Sequence, residues 1–95
     1  RYVRALKNAE GSSVESLYRL IDNRVEAVEF SIGAWSSLVG KPLMSLKIAP
    51  DALIAAVIHG SEVSIPSGNT VISAGDRAIV VTTRSGLQNP DDILE

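Results

Sequence analysis

The sequence of 95 residues contains no cysteine and only one histidine, His59. Without cysteine the chain can form neither a disulfide framework nor a thiolate metal site, which is compatible with a reducing cytoplasm. A single imidazole also lacks the second histidine or the thiol that would complete a metal shell or a nucleophile–base pair. We therefore predict no metal site and no catalytic residues.

Long hydrophobic runs and an excess of basic charge are also missing. The longest apolar stretch covers residues 52–58, far below the ~20 residues that a membrane-spanning helix needs, and the start shows no signal-peptide pattern. The formal net charge of -2 gives no long-range attraction for phosphate backbones. We expect a soluble domain that does not bind nucleic acid. Because the sequence starts at Arg1 without a methionine, we also expect it to belong to a longer protein.

Signatures of enzyme chemistry are missing as well. The glycines do not fall into the spacings that cradle phosphates, and no nucleophile-elbow pattern surrounds the serine pair at 36–37. The acidic pair at 91–92, like Glu26 and Glu29, is interpreted as solvated surface carboxylates. We predict a protein that is not an enzyme.

Aliphatic residues dominate what is present. Hydrophobic residues make up 45% of the chain but aromatic residues only 4%, a composition typical of β-strands packed on short helices. A chain of this length folds as one domain with a modest core. Pairing with a second copy would add to the buried apolar surface.

The first part of the chain has helical periodicity. Apolar side chains recur there at three- and four-residue spacing: Val14, Leu17, Tyr18 and Ile21. Ser12 or Ser13 is suited to cap such a helix, and Asp22-Asn23 is suited to end it. Residues 1–24 are therefore predicted to form a helical connector.

After the connector, the pattern changes to that of a β-sheet. Alternating side chains predict a strand over 25–32, and Pro42 is expected to open a short helix, because proline is favoured at the first helical position. The apolar run at 53–59 indicates a strand covered on both faces, although its length does not exclude a buried helix. A last strand is predicted over 78–83.

A hairpin is predicted after the apolar run. Gly60-Ser61 is suited to a two-residue turn because glycine reaches positive φ, and residues 62–65 then return as an antiparallel strand. Pro66 ends this strand, because proline has no N–H for ladder pairing.

These elements together predict an α+β fold. It consists of a small, largely antiparallel β-sheet with short helices over residues 25–85, preceded by the connector helix of residues 1–24. Residues 86–95 are predicted to form a flexible tail.

Several segments in a fixed order carry a resemblance to a known family. They read LVGKPLMSL at 38–46, LIAAVIHGSEVSIP at 53–66, GNTVI at 68–72 and AGDRAIVV at 74–81. In this combination the chain resembles the RCK-C (TrkA-C) domain of TrkA-like potassium transport regulatory subunits.

The resemblance implies a cytoplasmic regulatory, ligand-sensing domain of a potassium uptake system of the Trk or Ktr type. Such a domain gates a membrane pore through dimerisation and conformational change. Its implied partners are a second copy, an upstream RCK-N domain and an integral membrane potassium transporter subunit, through which it lies at the inner face of the cell membrane. NAD or ATP is expected only in the upstream domain, and no cofactor in this chain.

The resemblance also implies a cleft between two copies for a small nucleotide effector such as cyclic di-AMP. By this likeness, the lining residues are Ile54, Ala55, Val57, Ile58, His59, Val63, Ile65 and Pro66, with His59 as a hydrogen-bond donor. Family members often carry arginine where this chain has His59. A largely neutral imidazole is a weaker partner for phosphate than a guanidinium.

Two alternatives stay open at this point. Similar domains occur as cytoplasmic regulatory inserts of other ion or carboxylate transporters and antiporters, and flanking sequence would separate these from a potassium subunit. The same fold can also serve as a purely structural dimerisation module, in which the predicted lining residues are ordinary core and dimer contacts.

Overall fold

The computed structural model describes residues 6–7 and 13–95. Its main element is one antiparallel β-sheet of six strands in the order β1-β2-β3-β6-β4-β5. The strands are β1 (Leu6–Lys7), β2 (Ser13–Leu20), β3 (Val25–Ser31), β4 (Ala52–His59), β5 (Glu62–Ser64) and β6 (Arg77–Thr82). The helices found in these residues are two single 3-10 turns, Leu43–Ser45 and Pro90–Ile93.

One face of the sheet, the inner face, packs against irregular segments of the chain. Val28 and Phe30 of β3 lie opposite Val80 and Ala78 of β6, and all four are buried. The alternation of β3 therefore directs Val28 and Phe30 to the same buried face. The segments that cover this face contribute further buried side chains to the core: Leu38, Ile72, Leu87 and Ile93.

The opposite, outer face of the sheet is partly exposed. Tyr18, Ala27, Val81 and Leu53 lie side by side across β2, β3, β6 and β4. Tyr18 and Leu53, at the two ends of this row, are exposed. The prediction that residues 53–59 are covered on both faces is therefore correct only in part.

The predicted N-terminal helix is wrong over residues 13–20, which form strand β2 and pair with β3. A β-bulge lies between Val14 and Ser16. Because the extra residue reverses the alternation, Val14 and Leu17 both reach the inner face and are buried, although they are three positions apart. The bulged strand thus imitates helical spacing, and Ser13 begins a strand. Residues 1–5 and 8–12 of the predicted connector, with the predicted cap at Ser12, lie outside the described residues.

The C-terminal segment is packed, where the sequence predicted a flexible tail over 86–95. Leu87 and Ile93 are buried in the core. The Asn89 side chain accepts the Asp91 N–H at 2.9 Å, which caps the second 3-10 helix. The Ala49 N–H donates to the Ile93 carbonyl at 2.8 Å and ties this helix to the body. The prediction of flexibility is corrected by this packing.

The remaining predicted elements are confirmed with small changes of boundary. Strands β3, β4 and β6 occupy the predicted positions, and the hairpin turns at Gly60 and Ser61. Pro42 precedes a helix as predicted, but this helix is a single 3-10 turn. The chain is therefore mostly sheet. The antiparallel sheet of the predicted α+β fold is confirmed, whereas its helices are reduced to two single 3-10 turns.

The turn between β2 and β3 has an unusual backbone. Ile21, Asp22 and Asn23 have positive φ angles of 52°, 54° and 66°. The Arg24 N–H closes this left-handed turn by donating to the carbonyls of Leu20 at 3.1 Å and Ile21 at 3.0 Å. Positive φ is unfavourable for a β-branched residue such as isoleucine. The turn is therefore strained at Ile21.

Candidate functional site

The β4–β5 hairpin is held by a short and regular ladder. Val57 pairs with Ser64, Ile58 with Val63 and His59 with Glu62. Gly60 has a φ of +61°, which a two-residue hairpin turn requires and which glycine adopts without strain. β5 is the last strand of the sheet, so none of the described strands pairs with its outer edge.

The residues predicted to line one cleft lie on different faces of the sheet. Ile54 and Val57 belong to the core of the inner face, whereas Ile58 and Val63 face each other on the outer face. A β-bulge between Ile54 and Ala56 reverses the alternation of β4 and produces this division. The other predicted lining residues are half-buried or exposed: Ala55, His59, Ile65 and Pro66.

A shallow apolar groove of about 260 Å³ lies beside β4. Two of the predicted residues, Ile54 and Pro66, line it. The other lining residues were not predicted: Leu43, Met44, Ile48, Leu53, Ser67 and Gly68. We call this concavity the β4 groove.

The 3-10 turn after Pro42 forms one wall of the β4 groove. The Met44 N–H donates to the Gly68 carbonyl at 2.9 Å, and the Leu43 N–H donates to the Thr70 carbonyl at 2.9 Å. Gly68 lies so close to Met44 that an added Cβ would come within 3.0 Å of the Met44 side chain. A side chain at position 68 would therefore require the Met44 side chain to shift by a few tenths of an ångström.

His59 is held by a buried carboxylate. Its Nδ1 lies 2.5 Å from Oδ1 of Asp76, whose side chain is 5% exposed, while the imidazole is 72% exposed. The hydrogen bond to Asp76, followed by the negative charge of Asp76, raises the pKa of His59 above its ordinary value of 6.5. Glu62 adds a smaller effect in the same direction, and burial opposes it. His59 thus already has an acidic partner within the chain.

A larger concavity, of about 550 Å³, lies at the strained β2–β3 turn. It is lined by Ile21, Arg24, Val25 and Thr83. None of the predicted lining residues contributes to it. The β4 groove, by contrast, contains two of them, Ile54 and Pro66, so we take the β4 groove as the better candidate site.

The acidic residues interpreted as solvated carboxylates have partners instead. Glu26 is 3% exposed, and its Oε2 lies 3.4 Å from Nε of Arg19 on the neighbouring strand. Glu29 accepts hydrogen bonds from Arg77 at 2.7 Å and from Ser16 at 3.1 Å. The interpretation of Glu26 as a solvated group is therefore wrong, and these contacts give both carboxylates a structural role.

The Asp91 carboxylate links two distant segments. It accepts the Ser36 hydroxyl at 2.5 Å and the Ser37 N–H at 3.0 Å. Within residues 6–7 and 13–95, no group of three or more histidine, aspartate or glutamate side chains is arranged to hold a metal ion. Of the helices that these residues form, none has the length and hydrophobicity to cross a membrane.

Comparison with protein families matches residues 27–94 to the TrkA-C domain. The matched range begins within β3 and ends after the second 3-10 helix. The chain belongs to the TrkA-C domain family. The resemblance inferred from the segments at 38–81 is therefore confirmed.

Curated relatives of this TrkA-C domain bear the names of potassium uptake proteins. Two are from Methanosarcina mazei: Trk system potassium uptake protein TrkA homolog 2, 30% identical over 95% of this chain, and homolog 1, 34% identical over 84%. A TrkA homolog of Pyrococcus abyssi is 34% identical over 74%. The aligned parts cover 20%, 18% and 31% of these relatives, respectively. The chain thus spans about a fifth of the length of the first two.

Two residues of the β4 groove that were not predicted from the sequence have large, exposed side chains. Met44 and Leu53 are large apolar side chains that remain exposed, and both lie in the β4 groove. Whether an apolar side chain is buried or exposed becomes visible only with the fold. In the sequence, the two residues look like ordinary members of apolar segments.

Proposed function

We propose that this TrkA-C domain is a cytoplasmic regulatory domain of a potassium uptake system of the Trk or Ktr type, and that it is not an enzyme. The observation that carries the proposal is the family match over residues 27–94, together with relatives named as Trk system potassium uptake proteins. In this proposal the domain belongs to a longer subunit with an upstream RCK-N domain that binds NAD or ATP. The subunit lies at the inner face of the membrane through its integral membrane partner.

Two copies of the domain pair through the edge of the sheet that carries the β4–β5 hairpin. β5 is short, no strand formed by residues 6–7 and 13–95 pairs with its outer edge, and the nearby Val63 and Ile65 are exposed. Exposed strand edges with apolar side chains favour pairing with another chain. A symmetric homodimer would bury these side chains and add to a modest core.

The β4 groove is the proposed half-site for an effector. Its volume of about 260 Å³ is below the roughly 300–1,000 Å³ of typical small-molecule sites. A groove of this size covers one side of a small nucleotide such as cyclic di-AMP, and a second copy would cover the other. Apolar walls suit a base, while Ser67 offers polar contacts.

Gating follows if the effector binds one arrangement of the domain pair more tightly than another. A ligand shifts a conformational equilibrium only by its difference in affinity for the two states. The effector in the β4 groove contacts both copies, so its affinity depends on their relative position. The resulting shift in the pair is passed to the upstream domains and from there to the pore.

Calorimetric titration of the purified chain with cyclic di-AMP, ATP, NAD and NADH tests this proposal. We expect saturable binding of one nucleotide per two chains. Leu53→Asp, in the β4 groove, should abolish binding, and the matched control Leu20→Asp, in β2 at the opposite side of the sheet, should not. No binding by a folded dimer would refute the sensing role and favour a structural dimerisation module.

A further inference from the structure

β5 is a weakly supported strand. Among the described strands it pairs only with β4, through three residue pairs, and all three of its residues are exposed. A two-stranded hairpin alone is at best marginally stable in water. The order of β5 therefore depends on any further contact that holds the hairpin to the rest of the domain.

One side-chain contact joins the end of this hairpin to the body of the domain. Nδ1 of His59, the last residue of β4, lies 2.5 Å from Oδ1 of Asp76 in the turn that precedes β6. Among the described residues, this is the one side-chain hydrogen bond or ion pair that residues 59–64 make. Asp76 is itself anchored, because its Oδ2 accepts the Ser73 N–H at 2.9 Å and its backbone carbonyl accepts the Ile32 N–H at 2.9 Å. We call the contact between His59 and Asp76 the hairpin clasp.

The hairpin clasp changes strength with the protonation of His59. The imidazole is 72% exposed and exchanges its proton with solvent, whereas the Asp76 side chain is 5% exposed. A protonated His59 adds the attraction of an ion pair to the hydrogen bond, and a neutral His59 keeps only the hydrogen bond from Nδ1–H. The hydrogen bond to Asp76 and the charge of Asp76 raise the pKa of His59 above its ordinary value of 6.5. The stronger state is therefore complete below pH 6.5 and is lost as the pH rises through the raised pKa.

The other charges near the imidazole increase the difference between the two states. Glu62 lies directly opposite His59 across the hairpin and also favours its protonated form. Arg77, the next residue after Asp76, pairs with Glu29 at 2.7 Å. Loss of the His59 proton therefore leaves the carboxylates of Asp76 and Glu62 on either side of an uncharged ring, where they repel each other. A rising pH weakens the hairpin clasp both by lost attraction and by this repulsion.

We propose that His59 and Asp76 form a pH-dependent clasp, which holds the β4–β5 hairpin against the body of the domain at low pH and loosens it as the pH rises. The clasp lies within one chain, so the inference does not rest on the homodimer. It goes beyond the proposed function by adding the proton as a regulatory input. A loosened β5 presents a less ordered edge, so pairing of two copies through this edge should weaken with rising pH.

Carbon-13 relaxation of the backbone Cα atoms tests the clasp, because it does not depend on amide exchange. We expect order parameters of residues 62–64 near the rigid value of about 0.85 at about pH 5.5, falling toward the flexible value of about 0.6 at about pH 8.5. In His59→Gln they should not change with pH, because glutamine does not titrate. Glu62→Gln, which leaves His59 and Asp76 in place, is the matched control and should keep the pH dependence. Rigid order parameters of β3 in every sample show that the fold is intact.

The outcomes separate this inference from the proposed function. Equal order parameters of the hairpin at both pH values in the parent chain would overturn the clasp. An equal fall in the parent chain and in His59→Gln would also overturn it, because another group would then be responsible. Sedimentation equilibrium on the same samples reports on the homodimer. A monomer whose hairpin loosens with rising pH supports the clasp and contradicts the homodimer, whereas a dimer whose hairpin is equally ordered at both pH values does the reverse.

Discussion

Replacing Ile93 by alanine tests whether the C-terminal segment belongs to the core. Ile93 is 0% exposed and lies in the second 3-10 helix, which covers the inner face of the sheet. Truncating a buried isoleucine to alanine costs about 2–5 kcal/mol, the sum of lost apolar burial and the cavity left behind. Total stabilities of small domains are only about 5–15 kcal/mol. The substitution therefore removes a large share of the free energy of unfolding.

The expected effect is large enough for an ordinary unfolding assay. In a domain of this size, a loss of ~3 kcal/mol lowers the melting temperature by roughly 12–24 °C. Urea unfolding followed by circular dichroism, at one fixed protein concentration, gives the free energy directly. The matched control is Ile21→Ala, which removes the same atoms from a side chain that is 68% exposed. We expect that control to cause no loss of stability, because removing an exposed side chain leaves no cavity and alanine is less crowded than isoleucine at positive φ.

Equal stabilities for Ile93→Ala and Ile21→Ala would contradict the burial of Ile93 in the core. That result would mean that the last ten residues contribute no burial in solution, as the sequence pattern suggested. An intermediate loss would still support packing of the segment, because the cost depends on how far the site collapses around the cavity.

Three further predictions concern single side chains. Because Asp76 raises the pKa of His59, the stabilising effect of this pair is present below pH 6.5 and is lost as the pH rises through the raised pKa. The difference in free energy of unfolding between the parent chain and His59→Gln, measured with urea, should therefore shrink with rising pH. A difference that stays constant with pH would contradict the pairing. Ile21→Asn should stabilise the chain by roughly 1 kcal/mol, because asparagine tolerates positive φ better than a β-branched residue. A lower melting temperature of this variant than of the parent chain would show that the turn is not strained at Ile21. Arg19→Ala should cost about 1–3 kcal/mol by leaving the buried Glu26 carboxylate without its partner, and the double variant with Glu26→Leu should recover much of this loss in a double-mutant cycle.

Sequence patterns predict the parts of this fold where alternation is regular. β3 alternates without interruption, and Gly60 marks the hairpin turn, so both could be placed from the sequence. The bulge after Val14 makes β2 imitate a helix, because a bulge is set by pairing with β3 and leaves no mark in the residue types. The strand therefore becomes recognisable only when its partner is known.

The candidate site was only partly predictable for the same reason. The bulge after Ile54 decides which residues of β4 reach the inner face, so the predicted lining residues could not be divided between faces beforehand. Met44 meets Gly68 through a contact between segments that are distant in sequence. The hydrogen bond between His59 and Asp76 likewise depends on the neighbouring strands. The residue types can be read from the sequence, but which of them lie together is determined by the pairing of the strands.

We propose above that two copies of this TrkA-C domain pair to form a sensing unit. Sedimentation equilibrium of the purified chain over a wide range of concentrations tests it most directly, with each nucleotide present or absent. We expect a reversible dimer whose dissociation constant changes when the effector binds. A strict monomer at all concentrations, with or without nucleotide, would contradict it.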